Sequence, residues 1–230
     1  MQIEVLTEDK SGSVVLERII TKICAQSEVD ANISVRPHRG CGSIPKDPDA
    51  KPPKFASSLL DLLPAKCRAY EKVYGESNDL ILVVVMDSDN HDPDTLRRTI
   101  YDCAQHYAPD IREVVGLCTE EVEAWLLGDR KALLKAYPES DTSVLDKYEQ
   151  DSICGTWEVL CRAVCPDDCD ELIDIGYPAI GHYKSRWADE VSRYMEPEEN
   201  VSPSFILFSN ALTAALKNPV PIVRRHRTGF

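Results

Sequence analysis

Apolar residues follow two different spacings along the first half of this chain. Short apolar runs, rich in β-branched residues and too short for a helix core, predict buried strands. These runs are Gln2–Thr7, 33–35, Leu80–Asp87 and Arg112–Cys118. Between them, apolar residues recur every three or four positions, which predicts helices over 13–24, 55–74 and 95–107. Pro64 predicts a kink or break within the second of these helices.

The order of these elements predicts the fold class. Strands that alternate with helices are typical of an α/β fold, in which helices flank a parallel sheet. Later segments have mostly helical spacing, at 120–127, 130–137, 157–164, 183–195 and 203–216. We therefore predict an α/β domain over 1–140 and a helical extension over 141–230 that packs on it, with a basic C-terminal tail.

Carboxylates follow three of the predicted strands. Glu8 comes directly after the first strand, and the third strand ends in Asp87-Ser88-Asp89. Glu120, Glu121 and Glu123 follow the fourth strand. The carboxyl ends of parallel strands share one edge of a sheet, where open α/β sheets bind ligands. Carboxylate oxygens are preferred ligands of Mg²⁺, so we predict a divalent-metal site formed by Glu8, Asp87, Asp89 and Glu123.

Each of these acids has a simpler interpretation. Asp87 or Asp89 could cap the helix that begins near Pro93, although Asp92 and Asp94 are closer to that start. Glu120 and Glu121 could be first-turn acids that interact favourably with a helix dipole. Glu123 is one turn into the predicted helix, beside the apolar residues 124–127, and fits this interpretation less well.

The charge balance limits the classes of function. The net charge of −13 argues against a simple nucleic-acid binder, but it is compatible with a metal-dependent nuclease whose basic residues are local. One basic cluster lies in a proline- and glycine-rich segment, 36–54, which predicts a long loop. It consists of Arg36, His38, Arg39, Lys46, Lys51 and Lys54. The second basic cluster, near the C-terminus, consists of Lys217, Arg224, Arg225, His226 and Arg227.

The cysteines and the N-terminus predict a cytoplasmic protein. The nine cysteines are scattered, which is typical of a reduced protein rather than a disulfide framework. The N-terminus has no basic segment of a signal peptide, and no stretch is long and apolar enough for a membrane span. Zinc binding by Cys161, Cys165 and Cys169 is disfavoured, because their spacing is typical of one buried helix face rather than a zinc knuckle.

Several of these residues resemble a known family. A glutamate after the first strand and an apolar strand ending in Asp-x-Asp resemble the Toprim fold, the metal-binding domain of topoisomerases, primases and overcoming-lysogenization-defect (OLD) nucleases. Three further segments narrow the resemblance to one family within this fold. They are Glu123-Ala124-Trp125-Leu126-Leu127-Gly128-Asp129, Tyr183-Lys184 with Trp187, and Ser202-Pro203-Ser204-Phe205. Together they resemble small bacterial Toprim-like proteins, which are often encoded beside an ATPase of the ABC or structural-maintenance (SMC) type.

The resemblance implies a Mg²⁺- or Mn²⁺-dependent nuclease that acts on nucleic acid, expected to be DNA, together with such an ATPase in antiphage defence or repair. Glu8 is then a metal ligand or general base, and Asp87 and Asp89 are metal ligands. Glu123 is a further ligand or an acid that supports the ligands. Lys184, in the family-like segment, or Lys10, the nearest lysine in sequence, is a cation near the phosphate, with an ordinary surface lysine as the alternative for each. One residue departs from the family pattern, because Asp9 stands where many Toprim domains have glycine.

Two other functions stay open at this level. The chain could be a non-catalytic Toprim-like module that binds a protein partner or a nucleotide. It could also resemble a response-regulator receiver, although no convincing Thr/Lys pair follows its later strands. The sequence leaves open whether the protein forms a homo-oligomer.

Overall fold

A computed structural model describes residues 1–77, 79–89, 91–176 and 178–217. Its centre is a sheet of four parallel strands in the order β2-β1-β3-β4. The strands are β1 (Gln2–Thr7), β2 (Asn32–Pro37), β3 (Leu80–Asp87) and β4 (Arg112–Cys118). The predicted α/β class with an all-parallel sheet flanked by helices is therefore confirmed.

The first helices connect the strands, and the remaining helices follow β4. The connecting helices are α1 (Lys10–Gln26), α2 (Leu59–Tyr74) and α3 (Pro93–Tyr107). After β4 come α4 (Glu123–Gly128), α5 (Arg130–Ala136), α6 (Thr142–Leu145), α7 (Thr156–Val164), α8 (Cys169–Ile175), α9 (Ile180–Ser192) and α10 (Pro203–Lys217). The short helices α6 and α8 were not predicted individually.

Several predicted boundaries were wrong, each for a local reason. Helix α1 begins at Lys10 because the Asp9 carboxylate accepts a hydrogen bond from the Gly12 N–H at 2.7 Å and caps the helix. Strand β2 extends through Pro37, so the long loop covers 38–58 and α2 begins only at Leu59. Pro64 does not break α2. The basic residues 224–227 of the second cluster lie outside the described residues.

Alternating side chains divide the core into two layers. In β3, the buried Ile81, Val83 and Val85 face α1, whereas Leu82 and Val84 face α2 and α3. We call these sides the α1 face and the α2/α3 face. This is the two-residue period of a strand that is covered by helices on both sides.

The helical extension shares the core of the α1 face. Helix α9 packs on α1, where the Arg18 guanidinium pairs with the Asp189 carboxylate at 2.5 Å. Helix α10 packs on β4, and the Phe208 ring fills the space left by the missing side chain of Gly116. No helix in the described part of the chain combines the length and the apolar character that crossing a membrane requires.

Candidate metal centre

The strand order creates a crevice at the carboxyl ends of β1 and β3. These strands are neighbours at the centre of the sheet, and the helices that follow them lie on opposite sides, α1 on one face and α3 on the other. Open α/β sheets bind ligands at such a switch point. Glu8 follows β1 and Asp87 ends β3, so both predicted site residues lie at this crevice.

Asp87 continues the alternation of β3 and lies toward the α1 face. Burial raises the pKa of its carboxyl well above the usual value, and the negative charges of Glu123 and Glu8 raise it further. The positive charge of Lys184 opposes this rise in pKa. Asp87 therefore lies within electrostatic range of three of the predicted site residues.

Glu8 lies on the other side of the same crevice, near Cys41. Burial raises the pKa of Glu8 to about 7, with a further contribution from the charge of Asp89, while the backbone N–H groups of Asp87 and Cys41 lower it. Its buried Oε2 atom has no hydrogen-bond partner among the described residues. Burial, followed by the charges of Glu8 and Asp89, raises the pKa of the Cys41 thiol to about 11.

Asp89 lies on the exposed turn after β3 in a left-handed conformation, with φ of 44°. Its N–H donates to the Glu120 carbonyl at 3.1 Å, and the Ser88 hydroxyl accepts from the Glu120 N–H at 2.9 Å. The turns after β3 and β4 are therefore joined. Helix α3 is capped by Asp92, whose carboxylate accepts from the Thr95 N–H at 2.9 Å. Asp87 and Asp89 are thus not needed as caps.

Glu123 is the first residue of α4 and is fully buried. Neither of its carboxylate oxygens accepts a hydrogen bond from a described residue, and the Lys184 ammonium lies 3.3 Å from Oε2. Lys184 is also buried and pairs with Glu121 at 3.0 Å. Burial raises the pKa of Glu123 to about 7, although Lys184 lowers it. Lys184 therefore stabilises the acids of this edge.

Two further carboxylates connect this edge to the helical extension, and sequence reasoning missed both roles. Glu120 accepts hydrogen bonds from the backbone N–H groups of Cys154, Gly155 and Thr156, at 2.9 to 3.3 Å, where α7 begins. Asp151 accepts from the Ser202 hydroxyl at 2.7 Å and the Ser204 N–H at 2.6 Å, where α10 begins. Both residues have positive φ angles, a conformation that the sequence did not predict because neither residue is a glycine.

The chemistry of the donors suits a hard divalent cation. The edge offers carboxylate oxygens, and buried oxygens of Glu8, Glu121 and Glu123 have no hydrogen-bond partner among the described residues. Buried polar atoms without a partner are uncommon in folded proteins and call for an explanation such as an ion. Within the described ranges, no three His, Cys, Asp or Glu side chains lie close enough together to hold one metal ion as they stand.

Comparisons with known proteins identify no relative of this chain. The chain matches no protein-family model, no curated protein and no solved structure. The resemblance of its motifs to the Toprim fold stays a prediction. Evidence for the function of the chain therefore comes from the placement and chemistry of the residues at the carboxyl edge.

Proposed function

We propose that the chain is a divalent-metal-dependent nuclease of Toprim type that hydrolyses phosphodiester bonds with Mg²⁺ or Mn²⁺. The observation that carries the proposal is that the charges of Glu8 and Glu123 act on buried Asp87, and that of Asp89 acts on Glu8, at the switch point of the sheet. Such strongly perturbed carboxyl groups in a crevice are typical of functional sites. The motifs that resemble Toprim proteins are a second line of support.

The residues have distinct roles in this proposal. Asp87 and Asp89 would hold the metal with Glu123, and Glu8 would be a ligand or general base. The metal, when bound, would supply an activated water and stabilise the leaving oxygen. The raised pKa of about 7 suits Glu8 to accept a proton near neutral pH. Lys184, buried between Glu121 and Glu123, would be a positioning residue rather than a direct phosphate contact.

The same proposal includes the partners that the resemblance implies. The substrate would be nucleic acid, expected to be DNA, and the ATPase partner would be of the ABC or SMC type. Incubating the chain with plasmid DNA and Mn²⁺, with and without such an ATPase, would measure whether the partner is required.

The decisive experiment compares two aspartates on plasmid DNA. Asp87→Ala should abolish Mg²⁺- or Mn²⁺-dependent cleavage, because it removes a central ligand. Asp94→Ala is the matched control: Asp94 is an exposed first-turn residue of α3, and its loss should leave cleavage unchanged. If the Asp87→Ala protein cleaves as well as the unmodified chain, the proposed nuclease site is wrong.

A second candidate is a binding module without chemistry, as the sequence left open. It is favoured by Lys184, which already supplies a positive charge to Glu121 and Glu123. It is also favoured by Asp9, which stands where many Toprim domains have glycine and whose carboxylate here caps α1. Calorimetric titration separates the two candidates: uptake of Mn²⁺ that is lost in Asp87→Ala favours the nuclease, whereas no uptake, with nucleic acid present, favours the binding module.

A further inference from the structure

The loop 38–58 is attached directly to the end of β1 that carries Glu8. The His38 N–H donates to the Thr7 carbonyl at 2.9 Å, and the Gly40 N–H donates to the Glu8 carbonyl at 3.2 Å. The end of the loop lies beside its beginning, where the Arg39 N–H donates to the Ser57 carbonyl at 2.9 Å. The loop thus begins and ends at the proposed metal centre.

The outer part of this loop is held in place by α2. The Arg68 guanidinium donates to the Pro48 carbonyl at 2.6 Å and stacks over the Tyr107 ring at 4.9 Å. The Ser43 N–H donates to the Asp61 carboxylate at 3.1 Å. The side chains of the loop are therefore presented on a supported backbone.

Four cationic side chains of the loop point into solvent, in a protein with a net charge of −13. None of the four forms an ion pair with another described residue, so their charges are available to a ligand. They are Arg39, Lys46, Lys51 and Lys54.

Phe55 follows Lys54 in the chain and is 88% exposed, the most exposed of the large apolar side chains described. Phenylalanine is among the residue types most often fully buried, so a ring with this degree of exposure is unusual. The Lys54 ammonium lies 5.9 Å from the centre of the Phe55 ring. An aromatic face beside flexible positive charges is the combination that binds unpaired bases and their phosphates.

The path from Phe55 to Glu8 is short. It follows the backbone from Phe55 to Ser57 and crosses the hydrogen bond to Arg39. From there it follows the backbone to Gly40 and crosses the hydrogen bond to Glu8. With standard spacings between neighbouring and hydrogen-bonded residues, it is at most about 22 Å long. A short single strand can therefore reach from Phe55 to the carboxylate edge.

We propose that the loop 38–58 binds single-stranded nucleic acid and leads it to the carboxylate edge. Phe55 stacks on an unpaired base, and Lys46, Lys51 and Lys54 contact phosphates. Bases in the interior of a duplex are stacked on both faces, so this surface favours single strands. The inference rests on the proposed function for what happens at the edge, but binding by the loop is measured separately from cleavage.

Fluorescence anisotropy with a labelled single DNA strand of about 12 nucleotides, within the site sizes of about 4–16 nucleotides of single-strand-binding folds, tests this. The Asp87→Asn protein is used so that the strand survives. Adding Phe55→Leu, which keeps an apolar side chain but removes the aromatic face, should weaken binding by about 5-fold to 150-fold, the range for loss of one stacked base. Phe55→Trp should retain binding. Val73→Ala, at a site that is 68% exposed on α2, is the control and should change nothing.

Salt dependence separates the lysines from the aromatic ring. Lys51→Ala with Lys54→Ala should reduce the slope of log Kd against log salt by about 0.7 for each lost phosphate contact. Phe55→Leu should leave this slope unchanged. Lys147→Ala, an exposed lysine outside the loop, is the matched control and should leave both slope and affinity unchanged.

Two results would overturn the inference. One is a Kd for single-stranded DNA that does not respond to Phe55→Leu or to the lysine changes. The other is tighter binding of polyglutamate than of single-stranded DNA through the same residues, which would assign the loop to an acidic protein partner. Plasmid cleavage by the Asp87→Ala protein tests the carboxylate edge alone, whereas anisotropy tests binding by the loop. Failure of the nuclease proposal and failure of the loop proposal are therefore distinguishable.

Discussion

Asp87 shows at the residue scale how a buried charge opposes stability. Its carboxylate ends a buried strand and lies within range of the charges of Glu8, Asp9 and Glu123, with Lys184 as the opposing charge. Burial and like charges both disfavour its ionised form. In the absence of a metal, this carboxylate therefore destabilises the folded protein near neutral pH.

Asp87→Asn should consequently stabilise the metal-free protein while removing the response to metal. Relief of charge repulsion at one site is worth on the order of 1 kcal/mol, which raises Tm by about 2–4 °C in a protein of this size. Differential scanning fluorimetry in EDTA and in Mn²⁺ measures both effects. Asp94→Asn, on the exposed first turn of α3, is the control. A lower Tm for the metal-free Asp87→Asn protein would contradict this account.

The raised pKa values of Glu8 and Glu123 predict a pH dependence. Both shift from 4.5 to about 7 in the folded chain, so the folded state holds protons that the unfolded state has lost between these values. The stability contributed by these groups is complete below about pH 4.5 and is lost as the pH rises through about 7. Thermal unfolding in EDTA from about pH 5 to about pH 8 should show this loss.

Metal binding should reverse that dependence, because a cation requires ionised carboxylates. The rise in Tm caused by Mn²⁺ should be small near pH 5 and larger near pH 8. Glu123→Gln should weaken the pH dependence in EDTA, whereas Glu171→Gln, at an exposed position of α8, should not. A metal response that is independent of pH would contradict the assignment of these groups.

At the scale of elements, α7 depends on a residue from another segment. Helix α7 begins at Thr156 after Gly155, which offers no side-chain cap, and the Glu120 carboxylate accepts the N–H groups there instead. Negative charge is favourable at a helix N-terminus. Glu120 therefore attaches the start of α7 to the turn after β4.

Glu120→Gln should destabilise the chain by about 1–2 kcal/mol, because it removes the charge from several hydrogen bonds to the backbone. Urea unfolding measures this loss. The same substitution at Glu171, an exposed acid in the first turn of α8, should change the free energy of unfolding by less than about 0.5 kcal/mol. Equal effects at the two positions would show that Glu120 does not act as a cap.

Element boundaries illustrate what pattern reasoning can predict. Strand β3 was predicted with its observed limits, because a continuous run of buried apolar residues ends abruptly at an aspartate. Helix α4 was predicted three residues too early, since Glu120 and Glu121 are polar and compatible with a first turn. Their actual partners, the start of α7 and Lys184, are distant in the sequence. No local pattern specifies such pairings.

At the scale of the whole molecule, the sheet and the helical extension share one apolar core. Residues from β1, β3, α1, α9 and α10 belong to the same buried cluster. The predicted division near residue 140 separates segments of the chain, but these segments pack through a common core. Gly116 is a critical point of this packing, because a side chain there would meet the Phe208 ring at 2.8 Å and Val85 at 3.1 Å.

Gly116→Ala should push α10 away from β4 and destabilise the chain by about 1–3 kcal/mol, the usual range for overpacking. Phe208→Leu in the same chain should recover part of this loss, because a smaller side chain leaves room for the methyl group. A double-mutant cycle in urea measures the coupling. Additive effects of the two substitutions would mean that they do not meet in the core.

Local sequence patterns are sufficient to predict the strands, the strand ends and some of the helix caps. Continuous apolar runs specify strands buried on both faces, and the end of a strand specifies which acids reach the carboxyl edge. Asp92, too, could be predicted as the cap of α3 from its position beside Pro93. Only the tertiary structure decided how these acids interact, because burial and charge act through space. The pairing of Lys184 with Glu123, the capping of α7 by Glu120 and the attachment of the basic loop at Glu8 are all of this kind.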